Sequence, residues 1–409
     1  MGYFKNLFAA ALGRLDVQAS GVGPTDPEFL RLLQDVSLTE SGANVTVATA
    51  LRNTTVFRCV SLISYAIGML PLHLFEVGEE RKKAEGHSLY RLLMRQPNDW
   101  QSAFDFKSLM QMRALVDGDA FALVVRSMGR PIRLVPLPNG MVSVKQNDDW
   151  TVEYHYQPPR GPKRVFKADE ILHLRGLSRD GLRGMSLVNQ AAEAIGLALQ
   201  TERAAARLFR NGMLVGGALK HKQKLSPEAY ERLKKSMAER ESAENAHRWL
   251  ILEEDMDATP FGNSGKDNQH LETREHQIEE IARVFGVPRP LLMVDDTSWG
   301  SGIDVLGQFF VRYSLAPWFT AWEQAIHRSV LSDSEKDRFY VKFNEGALLR
   351  GSMKDQADFF AKALGAGGHQ PWMSVDEVRA LQELGKAEEG ELPPALGQKE
   401  TGNEPSQTP

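Results

Sequence analysis

Several residue groups in this 409-residue chain have types that do chemistry elsewhere, and their spacing decides whether they can do it here. Gly262-Asn263-Ser264-Gly265-Lys266-Asp267 is the nearest approach to a phosphate-cradling glycine loop. Such a loop needs glycine at position 260 and Ser or Thr after the lysine, but the chain has Pro260 and Asp267. His270 and His276 are six positions apart and cannot share a helical face as a zinc-binding pair would. Gly184-Met185-Ser186-Leu187-Val188 lacks the second glycine of a nucleophile elbow, so Ser186 reads as a helix N-cap. The acidic groups Glu253-Glu254-Asp255 and Asp295-Asp296 are adjacent in sequence and carry no general acid/base signature. Cys59 is the only cysteine, which excludes an intrachain disulfide and any cysteine-clustered metal site. The pattern predicts no catalytic set, no metal and no cofactor. A competing reading, a hydrolase or nucleotidyl-handling enzyme, would need residues that converge only in the fold, such as His173, Asp180 or Asp295.

Charge is more informative than catalysis. Arg203, Arg207 and Arg210 fall at i, i+4 and i+7, a basic stripe along one helical face. Lys220, Lys222 and Lys224 share one side of a strand by alternation. Either row suits phosphates or the carboxylates of an adjoining subunit, with Glu272, Glu275 and Glu279 as candidate partners of the arginine stripe. The segment from Met293 to Gly302 holds Asp295, Asp296, Thr297, Ser298 and Trp299, followed by Gly300 and Gly302, which let it bend sharply. Overall, 49 basic against 53 acidic side chains leave a net charge of −4, unlike a protein that coats DNA tightly. Any nucleic-acid contact must therefore be local.

The elements that must position these residues follow from hydrophobic period and punctuation. Val56, Val60, Ile63, Ile67 and Leu70 make one face of a helix that Pro71 ends, and a strand over Leu72–Phe75 follows. Helices are predicted over His87–Arg95 and from the N-cap Ser102 to Gly118. Short branched and aromatic runs between Ala120 and Arg175 predict a small antiparallel sheet or barrel. A glycine loop, Gly176–Gly184, feeds a long helix from Ser186 to Asn211. Then come a strand at Gly216–Lys224, a polar helix at Glu228–Glu244, a brief strand at Trp249–Leu252, a loop at Asn263–Asn268 and a helix at Leu271–Phe285. A long helix at Ile303–Leu331 is kinked or divided by Pro317, and a strand at Phe339–Phe343 precedes helices at Met353–Leu364 and Ser374–Leu384. Phe4–Leu15 reads as a short amphipathic or mobile arm, and the composition from Gly385 onward predicts disorder. No run is long and apolar enough to predict a membrane span.

Several collinear segments resemble the portal proteins of long-tailed bacteriophages. They are NTTVFRCVSLISYAIGMLPLHLFEV (Asn53 to Val77), QPN (Gln96 to Asn98), DGDAFALVVRSMGRPIRLVPLPNGMVSV (Asp117 to Val144), DEILHLRGLSRDGLRGMSLVNQA (Asp169 to Ala191) and RNGMLVGGAL (Arg210 to Leu219). The order continues with EEIARVFGVPRPLL (Glu279 to Leu292), FVRYSLAPW (Phe310 to Trp318), LLRGSMKDQADFF (Leu348 to Phe360) and MSVDEVRAL (Met373 to Leu381). The resemblance covers residues 45 to 384.

The resemblance implies an α+β portal fold. Its parts would be an N-terminal arm (1–50), an α/β wing (51–185), a first stem helix (186–215), a small α/β clip (216–267) and a second stem helix (268–290). A tunnel loop (291–303), a long helix returning to the wing (304–339), a helical crown (340–384) and a tail (385–409) would complete it. It also implies a homo-oligomeric ring, a dodecamer, at one capsid vertex of the virion, assembled in the host cytoplasm. Double-stranded DNA would pass through it without sequence preference. Its implied partners are the terminase large subunit, a head-tail adaptor and the major capsid or scaffolding protein, with no membrane.

Overall fold

The computed structural model describes residues 37–78, 82–210, 217–220, 227–238, 257–260, 266–294, 303–345, 353–368 and 370–381. The expectations for Phe4–Leu15, Trp249–Leu252 and the tail from Gly385 lie outside them. The chain divides into two units, residues 1–348 and 349–409.

The first described elements are strands β1 (Ser37–Leu38) and β2 (Asn44–Val45), paired antiparallel, and the short helix α1 (Val47–Ala50). Residues 37–50, read above as part of an arm, are instead built into the core: Ala43, Val45 and Ala50 are buried. Gly196 explains the seat, because a Cβ there would strike the Thr39 side chain at 2.6 Å.

Helix α2 (Thr54–Met69) starts at Asn53, whose side chain accepts from the Thr55 and Val56 amides, and it stops before Pro71. Its predicted apolar face is fully buried. Strand β3 (Leu72–Glu76) pairs with β4 (Lys82–Lys83), and helices α3 (Ser88–Met94) and α4 (Ala103–Asp117) follow. A reciprocal Ser102–Asp105 capping box starts α4, and Gly118, at φ +90°, ends it in the left-handed region.

The β-rich stretch comprises β5 (Asp119–Ser127), β6 (Arg130–Leu137), β7 (Val142–Gln146), β8 (Val152–Tyr156), β9 (Arg164–Lys167) and β10 (Ile171–Arg175). Where one sheet or barrel was expected there are two three-stranded antiparallel sheets, β10-β5-β6 and β7-β8-β9. Pro138, which has no N–H to give a ladder, begins a 3-10 turn between β6 and β7, and there the chain leaves one sheet for the other. Phe121, Leu137 and Ile171 of the first sheet share a small core with Val142 and Tyr154 of the second.

The helix expected from Ser186 to Asn211 is divided at Ala191 into α5 (Leu187–Gln190) and α6 (Ala192–Arg210). Strand β11 (Gly217–Lys220), helix α7 (Pro227–Ala238) and strand β12 (Asp257–Pro260) come next, with β11 and β12 antiparallel. Helix α8 (Lys266–Phe285) begins inside the expected Asn263–Asn268 loop.

The long helix is realised as α9 (Ile303–Phe310), a π-helical turn (Val311–Leu315) and α10 (Ala316–Ser329). Pro317 cannot donate to the preceding turn and its ring crowds that turn's carbonyl. The wider π turn just before it accommodates both effects. Inside α10, fully buried Trp322 donates Nε1–H to Gln111 Oε1 at 2.9 Å, tying α10 to α4.

After α11 (Asp333–Lys336), strand β13 (Phe339–Phe343) pairs with β3 from Phe339↔Glu76 to Phe343↔Leu72, giving the sheet β13-β3-β4. Residues 340–343, read above with the crown, thus pair in the first unit. The second unit contains α12 (Met353–Ala363) and α13 (Val375–Leu381). No described helix is long and apolar enough to cross a membrane.

Candidate functional site

Helices α6 and α8 pack against each other and leave the core together. Ile195, Ala198 and Leu199 of α6 and Ile281, Ala282 and Phe285 of α8 are buried at one end. In the middle, Gln277, which is 4% exposed, donates Nε2–H to Thr201 Oγ1 at 3.1 Å. Beyond this rung, Glu202, Arg203, Ala204, Ala206 and Arg207 of α6 are exposed, as are Thr273–His276 of α8. The apolar face therefore runs out along the pair, and between the two helices in the sequence lie the paired strands β11 and β12 with α7 between them.

Arg203 and Arg207 sit one turn apart on this exposed stretch, and Arg207 Nε donates to the Arg203 carbonyl at 3.3 Å. No carboxylate among the described residues pairs with either. Arg210 lies on the same helix and Lys220 on β11, while Lys222 and Lys224 fall outside the described residues.

At the core end, Glu279 forms an ion pair with Arg289, whose Nη2 also donates to the Val294 carbonyl at 3.4 Å. Arg58 Nε donates to the Leu291 carbonyl at 3.4 Å, and Ser314 Oγ–H donates to the Gly286 carbonyl. These bonds fix the base from which the acidic segment departs. Asp295, Asp296, Thr297, Ser298 and Trp299 themselves lie outside the described residues.

A second polar cluster, absent from the sequence reading except for His173, joins strands β5, β8 and β10 to the Gly176–Gly184 loop and to α10. Asp119, at the start of β5 and 1% exposed, accepts from His173 Nε2 at 2.9 Å and the Gly184 amide at 2.7 Å through Oδ1. Its Oδ2 accepts from Arg183 Nε at 2.5 Å. Tyr154 Oη lies 3.1 Å from His173 Nδ1, and Arg328 Nη2 donates to the His173 carbonyl at 2.9 Å.

Burial pushes the His173 pKa down, outweighing the opposing effect of the Asp119 hydrogen bond. The ring is then neutral, with Nε2–H facing Asp119 and Nδ1 accepting the Tyr154 hydroxyl proton. Burial also opposes the Asp119 charge, but His173, Arg183 and the Gly184 amide together hold its pKa below the ordinary carboxylate value. Asp180 caps the adjoining loop, and the Arg183 and Leu182 amides bring its pKa down to about 2. His173 is 1% exposed and Asp180 is committed to a turn, so neither is available as the acid or base that the enzyme alternative required. That alternative has no support.

The sequence profile described as "Phage portal protein" matches residues 54–383. The chain belongs to the phage portal protein family. The portal protein of Enterobacteria phage HK97 is 33% identical over 342 residues, covering 82% of this chain and 79% of that one. The probable portal protein of Streptomyces phage phiC31 is 30% identical over 436 residues, covering 99% and 91%. Among solved structures, the neck of an empty gene transfer agent particle computed with C6 symmetry matches with TM-score 0.62 at 25% identity, covering 83% of this chain and 94% of that one. An HK97-family portal protein from Corynebacterium diphtheriae has the same fold, with TM-score 0.52 at 20% identity, covering 75% and 96%.

The role of this portal subunit is accordingly structural and non-enzymatic, that of a portal channel. Its polar cluster is a joint. The one sequence signal that could have pointed to it is Asp119, a carboxylate set directly after Gly118 and before the apolar run Ala120–Val125.

Proposed function

We propose that this chain assembles into a closed ring of about twelve subunits at one capsid vertex, through which double-stranded DNA is packaged by the terminase and later ejected. The observation that carries this reading is the α6–α8 pair, buried at its core end and exposed at Glu202–Ala204 and Thr273–His276 beyond it, with the antiparallel β11–β12 pair lying between the two helices in the sequence. That is the order a stem and its clip require, with residues 186–215 and 268–290 as stem and 216–267 as clip. Similar proteins stand in particle necks computed with C6 and with C12 symmetry, the latter at TM-score 0.59 and 24% identity over 83% of this chain and 92% of that one.

The clip would meet the terminase large subunit during packaging and the head-tail adaptor afterwards, and the wing would meet the capsid or scaffolding protein. Exposed Arg203 and Arg207 would pair with carboxylates of the adjoining subunit, since guanidinium forks suit bidentate carboxylate contacts. Native mass spectrometry of the full chain is expected to show a species of about twelve copies. A clean monomer across salt and protein concentration would sink the reading.

In such a ring, Asp295 and Asp296 of every subunit would form an acidic constriction that repels phosphate and keeps DNA from adhering. Trp299 would anchor the loop base, because duplex DNA offers few exposed base faces. Deleting Asp296–Ser301 is expected to leave rings intact and to impair packaging or retention of DNA. Normal packaging by assembled rings of the deletion variant would remove the loop from the mechanism.

A further inference from the structure

A cleft in the first unit shares no residue with the α6–α8 pair or with the Asp119 joint. It lies among β3, β4, the start of β6, α11 and the start of β13, and it encloses about 560 Å³. That volume is within the range of ligand clefts, about 300–1,000 Å³. Four exposed cations line it, Lys82, Lys83, Arg130 and Arg338, together with the carboxylates Glu76, Glu85 and Glu335. None of the four cations forms an ion pair among the described residues.

Glu335 is committed elsewhere. Its Oε2 accepts from the Ser332 amide at 2.9 Å and the Ser332 hydroxyl at 2.7 Å, and its Oε1 lies 3.0 Å from His87 Nε2. His87 Nδ1 accepts the Leu89 amide proton at 3.2 Å, so Nε2 carries the hydrogen given to Glu335. The Phe339 ring lies 5.0 Å from that of His87, and Arg338 Cζ sits 5.6 Å from the Phe339 centroid. The Val77 amide holds the Arg338 carbonyl at 2.8 Å. The wall is therefore fixed while its cations stay open. In the same wall Ser88 Oγ is buried without a hydrogen-bond partner, a polar atom that the fold itself leaves unsatisfied.

Lysines on an edge strand guard it against stray pairing, and β4 is the edge of the sheet β13-β3-β4. That accounts for Lys82 and Lys83, but not for Arg130 and Arg338, which come from other elements.

We infer that this cleft binds an acidic segment of a partner protein, with two or more of its carboxylates set against Lys82, Lys83, Arg130 and Arg338. Guanidinium forks take carboxylates bidentately, and lysines add point charges. The carboxylates of the cleft discriminate among anions. Duplex DNA, with a charge every 1.7 Å or so, would be driven against Glu76, Glu85 and Glu335. A peptide can set neutral or basic residues opposite them. A free phosphate would leave most of the cleft to water. The inference goes beyond the channel reading and does not depend on copy number.

The probe is a fluorescein-labelled Glu-Ala-Glu-Gly-Glu-Ala-Glu peptide, titrated by anisotropy against the full chain. Saturable binding is expected, and it should weaken in about 0.5 M salt, where exposed charges are screened. The double variant Lys83→Gln, Arg338→Gln should bind at least about tenfold more weakly, since each charge-assisted bond carries much of the contact. The control is Lys145→Gln, Arg164→Gln, which removes exposed cations of β7 and β9 outside the cleft, and it should change affinity by less than about twofold. All four positions are exposed, so far-UV circular dichroism should stay native in both variants.

No saturable binding, equal loss in the two double variants, or equal binding of the peptide with Gln in place of Glu would overturn the inference. Displacement of the peptide by inorganic phosphate or duplex DNA at equal charge concentration would also overturn it, because the site would then be one for phosphate oxyanions. A chain that binds the peptide yet forms no ring would leave this inference standing and remove the ring reading.

Discussion

Gly118→Ala is expected to destabilise the subunit by about 2–5 kcal/mol, combining the left-handed backbone penalty with overpacking. Gly118 lies at φ +90°, and a Cβ there would come within 2.7 Å of the Gly184 and Met185 carbonyl carbons. The reverse contact is equally tight, since a Cβ on Gly184 would strike the Gly118 carbonyl and stand 2.9 Å from the Gly176 nitrogen. Backbone meets backbone at this crossing, so no rotamer change relieves it. The Gly176 amide donates to the Gly118 carbonyl at 3.0 Å, and Ser186 Oγ–H donates to the Val116 carbonyl at 2.5 Å. The crossing therefore sets the path from β10 into α5 and α6.

Gly129→Ala supplies the control. Gly129 is also at positive φ, +79°, but a Cβ there meets nothing within 4 Å, so only the backbone penalty of about 1–2 kcal/mol applies. Urea denaturation of the two variants separates the cases. Equal midpoint shifts would show that the crossing contributes nothing beyond dihedral strain.

Legibility in the sequence tracked how local each determinant is. Helix α2 was readable because its buried positions recur at helical spacing and both ends carry their own signals, Asn53 and Pro71. Strand β12 was not, because Asp257-Ala258-Thr259-Pro260 has no large apolar side chain and ends in a proline. It is a strand only by virtue of β11 opposite it. The first turn of α8, Lys266 to His270, is polar all round and gives a periodicity test nothing to detect. Pro317 announced a disturbance, but its form as a π turn depends on how the surrounding chain packs. The docking of residues 37–50 hinges on Thr39 meeting Gly196, a contact between distant positions.

The candidate site divides the same way. Arg203 and Arg207 were found by spacing alone and occupy one exposed stretch. Asp119 was missed because its role exists only once β5 and β10 are paired, a register that sets His173 opposite Phe121 and Arg175 opposite Asp119 itself.

Asp119→Ala is expected to cost about 3–5 kcal/mol, the range for removing one partner of a buried charged cluster. The truncation would leave three donors without their acceptor: His173 Nε2–H, the Gly184 amide and the Arg183 guanidinium. Asp119→Asn, which keeps the shape and one acceptor, should cost less.

The same cluster gives stability a pH dependence of defined sign. The folded imidazole of His173 has a pKa below its ordinary value, so below about pH 6.5 the unfolded chain binds a proton that the folded chain refuses. This contribution is complete above the unfolded value and is lost as pH falls through the folded one. Asp119, also depressed, follows the same rule at lower pH: its contribution is present above about pH 4 and disappears as the folded carboxylate is protonated. His173→Gln has no proton to take up, so urea titrations between pH 7 and pH 5 should show a shallower fall than the parent chain. The difference should reach up to about 1.4 kcal/mol per pH unit, the value of one proton. Parallel pH profiles for the two proteins would mean that His173 binds the same number of protons folded and unfolded, and the neutral imidazole assigned to the joint would be wrong.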